Sequence, residues 1–398
     1  MFDPQHFITD RLHAIDASGI RRVFDLAASL SDPINLAIGQ PDFDVPDVIK
    51  AAAIDAIEKG FNGYTVTQGS EQLRHRVTEL ICNELPNWRH VSDSSAADGG
   101  FETLITCGVS GALVLALLTC VGPGDEVLVP DPGFVMYSHL VRLVGATPVY
   151  VDTYPDFQLT GQRIEPHITG RTKMLLYSSP SNPTGVVTTD EASRRIVELA
   201  DEHNFIVLAD EIYKDFFYPK TDQPLTSVGP QAYPGIATPG AYSDRLILMR
   251  GFSKTYAMTG WRLGFAVGPA PIIEQMTKLQ QYSFVCAPSM AQAAGVTALD
   301  EDMSGHIEVF CRRRDRVVNR LSGHFELITP GGAFYAFPKV PEKLGLSGTQ
   351  FVEKAINRNL LAIPGEVFSN QDSHFRISFA CDDDMLDRGL DILVDLAS

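Results

Sequence analysis

Cysteine is scarce here. The chain holds six in 398 residues, at 82, 107, 120, 286, 311 and 381, with no CxxC pair and no metal-ligand spacing. That excludes a disulfide-built secreted fold, and no metal site is expected. Most of the thiols stand in apolar runs, as core residues of a protein in a reducing compartment. Positive charge is also short: 32 Lys and Arg against 49 Asp and Glu leave a net charge of −17. Nucleic acid and anionic membranes would repel such a chain, which leaves small molecules as expected partners and still permits a local basic pocket. Long hydrophobic runs are missing too. The longest, about Ala112 to Val121, falls well below the roughly 20 residues that span a bilayer. The first residues, Met1-Phe-Asp-Pro-Gln-His6, are polar and mixed, and no apolar leader segment follows, so a cytoplasmic protein is expected. Internal repeats and low-complexity tracts are absent.

What remains is an ordinary globular composition, 44% hydrophobic and 20% charged, at a length that predicts two domains. From about 70 to 270, helical patterns alternate with short apolar runs. Leu73, Val77, Leu80 and Ile81 fall at helical spacing. Val127–Val129, Val149–Val151, Met174–Tyr177, Phe205–Ala209 and Leu246–Met249 read as buried strands. A helix opens at Thr189 or Asp190 and carries Ile196 and Leu199 on one face. This alternation predicts an α/β domain with a mainly parallel sheet. Pro219 to Gly240, rich in Pro and Gly, reads as a surface excursion. After about 285 come a long helical stretch, Ala333–Phe337, a helix near 348–359 and Phe375–Phe379. That α+β pattern is assigned to a smaller domain. The expected division is 48–285 for the large domain, with 1–47 and 286–398 forming a discontinuous small domain joined by a long helix.

The chemistry-bearing residues centre on Lys254, in Arg250-Gly-Phe-Ser-Lys-Thr-Tyr-Ala-Met-Thr-Gly-Trp-Arg262. A lysine where a core strand opens into a loop is a candidate amine nucleophile, and a solvated surface lysine is the plainer alternative. Ser253 and Arg262 beside it can hold a phosphate, so lysine, hydroxyl and guanidinium together suit pyridoxal phosphate. That cofactor needs an anion at its ring nitrogen. Asp210 stands at the carboxyl end of its strand, where open α/β sheets bind ligands, though a cap or turn role would also place it there. Tyr213 and Asn182 can reach the phenolic oxygen, and Asn182 sits in Ser181-Asn-Pro-Thr-Gly185, which serves equally as a plain turn. Ile105-Thr-Cys-Gly-Val-Ser-Gly-Ala112 enters an apolar helix, so Val109 and Ser110 are candidate phosphate donors. This loop matches neither G-x-x-x-x-G-K-[ST] nor G-x-G-x-x-G, which disfavours a dinucleotide. Phe134 can stack on a ring or simply fill the core. Arg376, alternating with Ser378 and Ala380, suits two-point recognition of a carboxylate or faces solvent.

In this order the motifs resemble the class I and II aminotransferases, pyridoxal phosphate enzymes of fold type I. The likeness runs from Asn35-Leu-Ala-Ile-Gly-Gln-Pro-Asp-Phe43 to Arg376 and rests on Ser-Lys-Thr-Tyr256, Gly-Trp-Arg-Leu-Gly264, Ser-Asn-Pro-Thr-Gly185 and Ala-Asp-Glu-Ile-Tyr213. The resemblance implies that Lys254 forms the Schiff base and later shuttles a proton, in ping-pong transfer from an L-amino acid to a 2-oxo acid. It implies Asp210 at the pyridinium, Asn182 and Tyr213 at the phenolic oxygen, and Ser110, Ser253 and Arg262 at phosphate. Arg376 and the Gly39 backbone would take the α-carboxylate. Tyr64 looks like the tyrosine that reaches a neighbouring subunit's phosphate, implying a homodimer with shared sites. Some bacterial aspartate aminotransferases of this kind have a lysine in the phosphate loop. Gly-Val-Ser-Gly-Ala112 has none, and Phe134 stands where many relatives have Trp or Tyr. A carbon–sulfur β-lyase shares the motifs and is the main alternative. A non-catalytic regulatory protein is a further one, and the chain offers no basic DNA-reading module to support it.

Overall fold

A computed structural model describes residues 2–15, 19, 30–93, 100–218, 233–237 and 243–398. Its centre is a seven-stranded sheet of β2 (Phe101–Thr106), β3 (Glu126–Asp131), β4 (Thr147–Asp152), β5 (Thr172–Ser178), β6 (Ile206–Asp210), β7 (Leu246–Gly251) and β8 (Gly264–Pro269). The spatial order is β2-β8-β7-β6-β5-β3-β4. β3, β4, β5, β6 and β7 pair in parallel, while β8 runs antiparallel to both β7 and β2.

The apolar runs are continuous because both faces of the sheet are covered. Leu175, Val207 and Leu248 join one core layer with helices Glu71–Glu84, Asp190–His203 and Ser289–Ala298. Their neighbours Met174, Leu176, Leu208, Ile247 and Met249 join the other, with helices Gly108–Cys120 and Ala270–Gln281. Alternate side chains therefore serve opposite layers. Thr189 caps its helix as expected, its hydroxyl accepting from the Ala192 amide at 3.2 Å.

A further core gathers helices Ser304–Leu321, Gly348–Ile356 and Asp383–Ala397 around β9 (Tyr335–Ala336) and β12 (Phe375–Ser378). β12 lies between β9 and β11 (Ile363–Pro364) in a small antiparallel sheet. Ile34–Asn35, β1, pairs with Leu360–Leu361, β10, so an early segment joins this late core. The helical stretch after 285 is two helices, Ser289–Ala298 and Ser304–Leu321, with the turn Leu299–Met303 between them. Most of Pro219–Gly240 lies outside the described residues. The described part, 233–237, turns inward instead of outward: Tyr233 is buried and its hydroxyl donates to the Ser179 carbonyl at 2.5 Å. Among the described residues no helix is long and apolar enough to cross a membrane, and no cluster of three His, Cys, Asp or Glu could hold a metal.

Candidate active site

The carboxyl ends of the parallel strands converge on one edge of the sheet, and the chain delivers a functional side chain from most of them. β7 runs into the turn that carries Ser253 and Lys254. β6 ends at Asp210, β5 leads to Asn182, β3 leads to Phe134, and β2 leads into the helix Gly108–Cys120.

Lys254 Nζ donates to the Gly39 carbonyl at 2.5 Å and lies 5.8 Å from the Tyr213 ring centre. Burial, helped by the charges of Arg376 and Arg262, lowers its pKa to about 8, with Asp210 working the other way. Such an amine is still mostly protonated at pH 7, with about a tenth of it neutral, and becomes mainly neutral above about pH 8. Asp210 is buried, and that burial pushes its carboxyl up to about 6 against two hydrogen bonds that favour the anion. These come from the Tyr137 hydroxyl at 2.9 Å and the Ile212 amide at 3.2 Å. Tyr137 opens a turn of helix beyond Phe134, and the two rings meet edge to face at 5.6 Å.

At the end of β2 the helix Gly108–Cys120 begins with Cys107 at its cap, and no side chain caps it. Its first amides are therefore open to an anion, and the helix dipole favours one there. Two glycines make the spot close-packed. A Cβ on Gly264 would lie 2.7 Å from the Gly108 carbonyl carbon and 2.8 Å from the Val109 nitrogen. Gly108, at φ +72, carries the Arg262 guanidinium so near that a Cβ would stand 2.7 Å from Nη2. Arg262 and the Val109–Ser110 helix start, distant in sequence, are thus brought together by the pairing of β2 with β8.

Arg376, on β12, is buried and has no carboxylate partner among the described residues. Nη1 donates to Asn182 Oδ1 and Nη2 to the Ala37 carbonyl, each at 2.9 Å. Nε is buried and bonds to nothing. Burial lowers the pKa of this guanidinium, against Tyr335 and Tyr213, so the site holds a cation short of an anion. The Tyr335 and Phe368 rings lie 4.4 and 4.8 Å from its central carbon. β12 is buried along its whole length, so the solvent-facing reading of Arg376 fails. Tyr213 is buried, its hydroxyl 2.9 Å from that of Tyr335. Gly39 presents its carbonyl to Lys254. Tyr64 lies outside this cluster and is 86% exposed.

Tyr137 lies one helical turn beyond Phe134, a spacing that raises a contact with Asp210 without deciding it, and the structure makes that contact at 2.9 Å. One residue of the cluster, Tyr335, escaped the sequence reading. Tyr335 sits in an apolar run, where a phenol implies a buried hydrogen-bond partner.

Three features suit a phosphorylated pyridine aldehyde. They are an amine of lowered pKa in Lys254, an uncapped helix start beside Arg262, and a carboxylate in Asp210 that burial penalises until a cation joins it.

The sequence matches the family described as Aminotransferase class I and II over residues 31–393. It is 35% identical over 394 residues to aromatic-amino-acid aminotransferase 2 of Thermococcus litoralis, covering 96% of each chain. It is 34% identical over 394 residues to the aspartate aminotransferase of Pyrococcus abyssi, again covering 96% of each. Among solved structures, the aspartate aminotransferase of Thermus thermophilus with maleate superposes with a TM-score of 0.86 at 30% identity, covering 98% of this chain and 99% of that one. The chain belongs to the class I and II aminotransferases and has their fold type I architecture. It is an enzyme of that class, a pyridoxal phosphate-dependent aminotransferase.

Proposed function

We propose that this enzyme transfers the amino group of an L-amino acid to a 2-oxo acid in two half-reactions at one site, with Lys254 as the catalytic residue. The buried arginine without an anion carries the reading, because a substrate carboxylate supplies what Arg376 lacks. Bound pyridoxal phosphate supplies an aldehyde that takes up the amino group and a ring that spreads the charge left at Cα. Val109, Ser110, Ser253 and Arg262 would hold the phosphate, and Tyr64 of a second copy would join them. Asp210 would hold the ring nitrogen's charge, Asn182 and Tyr213 the phenolic oxygen, and Phe134 the ring face. Arg376, Asn182 and the Gly39 backbone would orient the substrate. Lys254 Nζ, neutral above about pH 8, would accept the Cα proton and return it elsewhere.

The proposed domain division, 48–285 against 1–47 with 286–398, puts Arg376 on the small domain and Lys254 on the large one. Hydrogen bonds cross that boundary, and closure of the small domain on a bound substrate would exclude water. The Phe368 carbonyl accepts from the Gly133 amide at 2.9 Å, and Asn370 Nδ2 donates to Asp131 at 2.8 Å. A homodimer is supported by Tyr64 with its exposed neighbours Phe61 and Val66. Buried Gln280 and Gln292 hold that loop by the Thr67 carbonyl and the Thr65 hydroxyl. Relatives named for aspartate and for aromatic amino acids make both donor classes the first to try. A cytoplasmic location accords with cysteines that form no disulfide.

The test is the absorption spectrum of the loaded protein as single amino acids are added without a 2-oxo acid. Conversion to a pyridoxamine band, reversed by a 2-oxo acid, supports the reading and ranks donors. Pyruvate and ammonia released without an acceptor would mark a β-lyase instead. Lys254→Ala should abolish transfer, and near-normal turnover by that variant ends the proposal.

A further inference from the structure

We propose that Tyr335 is a positioning residue with two separable roles: its hydroxyl orients and polarises Tyr213, and its ring braces Arg376. The inference rests on the reading above and assigns a residue on β9 to both halves of the site.

Each hydroxyl has one proton to give. The Tyr213 and Tyr335 oxygens are 2.9 Å apart, and both side chains are buried. A Tyr213 that donates to the cofactor's phenolic oxygen cannot also donate to Tyr335. Tyr335 must then be the donor, giving a directed pair in which Tyr335 strengthens Tyr213. The Tyr335 ring meanwhile stands 4.4 Å from the Arg376 guanidinium carbon. A desolvated cation over an aromatic face is held by the ring's charge distribution, which fixes the fork that meets the carboxylate. Gly39 leaves room for the phenol: a Cβ there would lie 3.1 Å from the Tyr335 oxygen. One side chain thus touches the partner of the phenolic oxygen, the substrate arginine and the backbone beside Lys254.

The experiment separates the two roles with Tyr335→Phe and Tyr335→Leu, each loaded with pyridoxal phosphate. The readouts are the pH midpoint of the visible band and the split of KM from kcat for one amino acid. Without the hydroxyl, Tyr213 is a weaker donor. More charge then stays on the phenolic oxygen, which holds the neighbouring proton more tightly. Tyr335→Phe should raise the midpoint by up to about one pH unit and leave KM within about twofold. Tyr335→Leu should show the same shift and raise KM for amino acid and 2-oxo acid roughly tenfold. If the Leu variant does not fold, Tyr335→Met keeps more volume and takes its place. An unmoved midpoint in the Phe variant overturns the hydroxyl role, and a KM as high in Phe as in Leu overturns the ring role. Failure of the wild-type protein to form a titrating band would instead sink the cofactor reading itself.

Discussion

Two buried arginines, Arg250 and Arg376, show how the same side chain serves a scaffold and a site. Arg250 is surrounded by acid. Nε donates to Glu211 at 2.8 Å and Nη1 to Glu84 at 2.6 Å, while Lys214 holds the other Glu84 oxygen at 2.6 Å. Burial alone would lower its pKa, but Glu211 and Glu84 outweigh that and raise it. Arg376 is as deeply buried, yet it meets only an amide oxygen, a backbone carbonyl and two rings. One charge is closed off and the other is unmatched. A folded chain keeps an unmatched buried cation only at a cost, so its place marks where an anion arrives.

The Arg250 network also frames the loop that carries Lys254. Glu211 follows Asp210, Thr255 follows Lys254, and the Thr255 hydroxyl donates to Asp215 at 2.7 Å. The two flanks of the candidate site are thereby tied to one set of charges lying behind them.

One substitution made at both arginines should therefore give opposite results. Arg250→Met leaves Glu211 buried beside no cation and should cost about 3–5 kcal/mol of stability. Thermal or urea unfolding reads this, and KM per folded molecule should hold. A variant as stable as the parent would break the comparison at this end. Arg376→Met should cost about 2–5 kcal/mol of substrate binding, which is roughly thirty- to several thousand-fold in kcat/KM. Its unfolding should move far less, because lost bonds to Asn182 and Ala37 are offset by removal of an unpaired charge. Retained kcat/KM in that variant would take the carboxylate away from Arg376.

Lys254 gives the next effect, in pH. Its pKa in the fold is about 8 against an ordinary 10.5. Only the neutral amine attacks an aldehyde. Loading of the cofactor-free protein should thus quicken about tenfold per pH unit below about 8 and level off above it. Stopped-flow absorbance checks this, and a rate still climbing past pH 9 would show a solvated lysine instead.

How far the sequence could be read follows from which contacts are local. β3, β5, β6 and β7 announce themselves because both faces are covered and the apolar run is unbroken. β2 and β8 do not. β2 carries Glu102 and Thr103, which bond His90 and Thr78. β8 is interrupted by two glycines whose reasons lie in other strands and turns: Gly264 meets Gly108 and Val109, and Gly268 meets Leu246 and Ile247. The same division holds in the site. Lys254, Asp210 and Asn182 stand at strand ends inside recognisable phrases. Tyr335 earns its place only through tertiary contacts with Tyr213 and Arg376, and no local spacing encodes those. Ala333–Phe337 stands out as one apolar run of five, whereas the ladder pairs only Tyr335 and Ala336. Short pairing suffices there because the flanking residues are buried by aromatic packing.

The smallest expected effect lies with Tyr137, and it concerns the other buried charge. In the cofactor-free protein, burial raises the Asp210 carboxyl from 3.8 to about 6. Below pH 3.8 it is protonated both folded and unfolded, so it leaves stability unchanged. As pH rises from 3.8 to about 6, the unfolded chain gives up the proton while the folded one keeps it. Stability falls across that window, and the penalty is complete above pH 6. Asp210→Asn should remove this slope. Tyr137→Phe removes the hydroxyl that favours the anion, so the window should extend above pH 6 and stability at pH 7 should drop by about 1.5–3 kcal/mol. Melting of the three cofactor-free proteins between pH 4 and 7.5 reads both effects as differences. Identical slopes in all three would mean that Asp210 is not penalised, and the contrast between closed and unmatched charge would then rest on Arg376 alone.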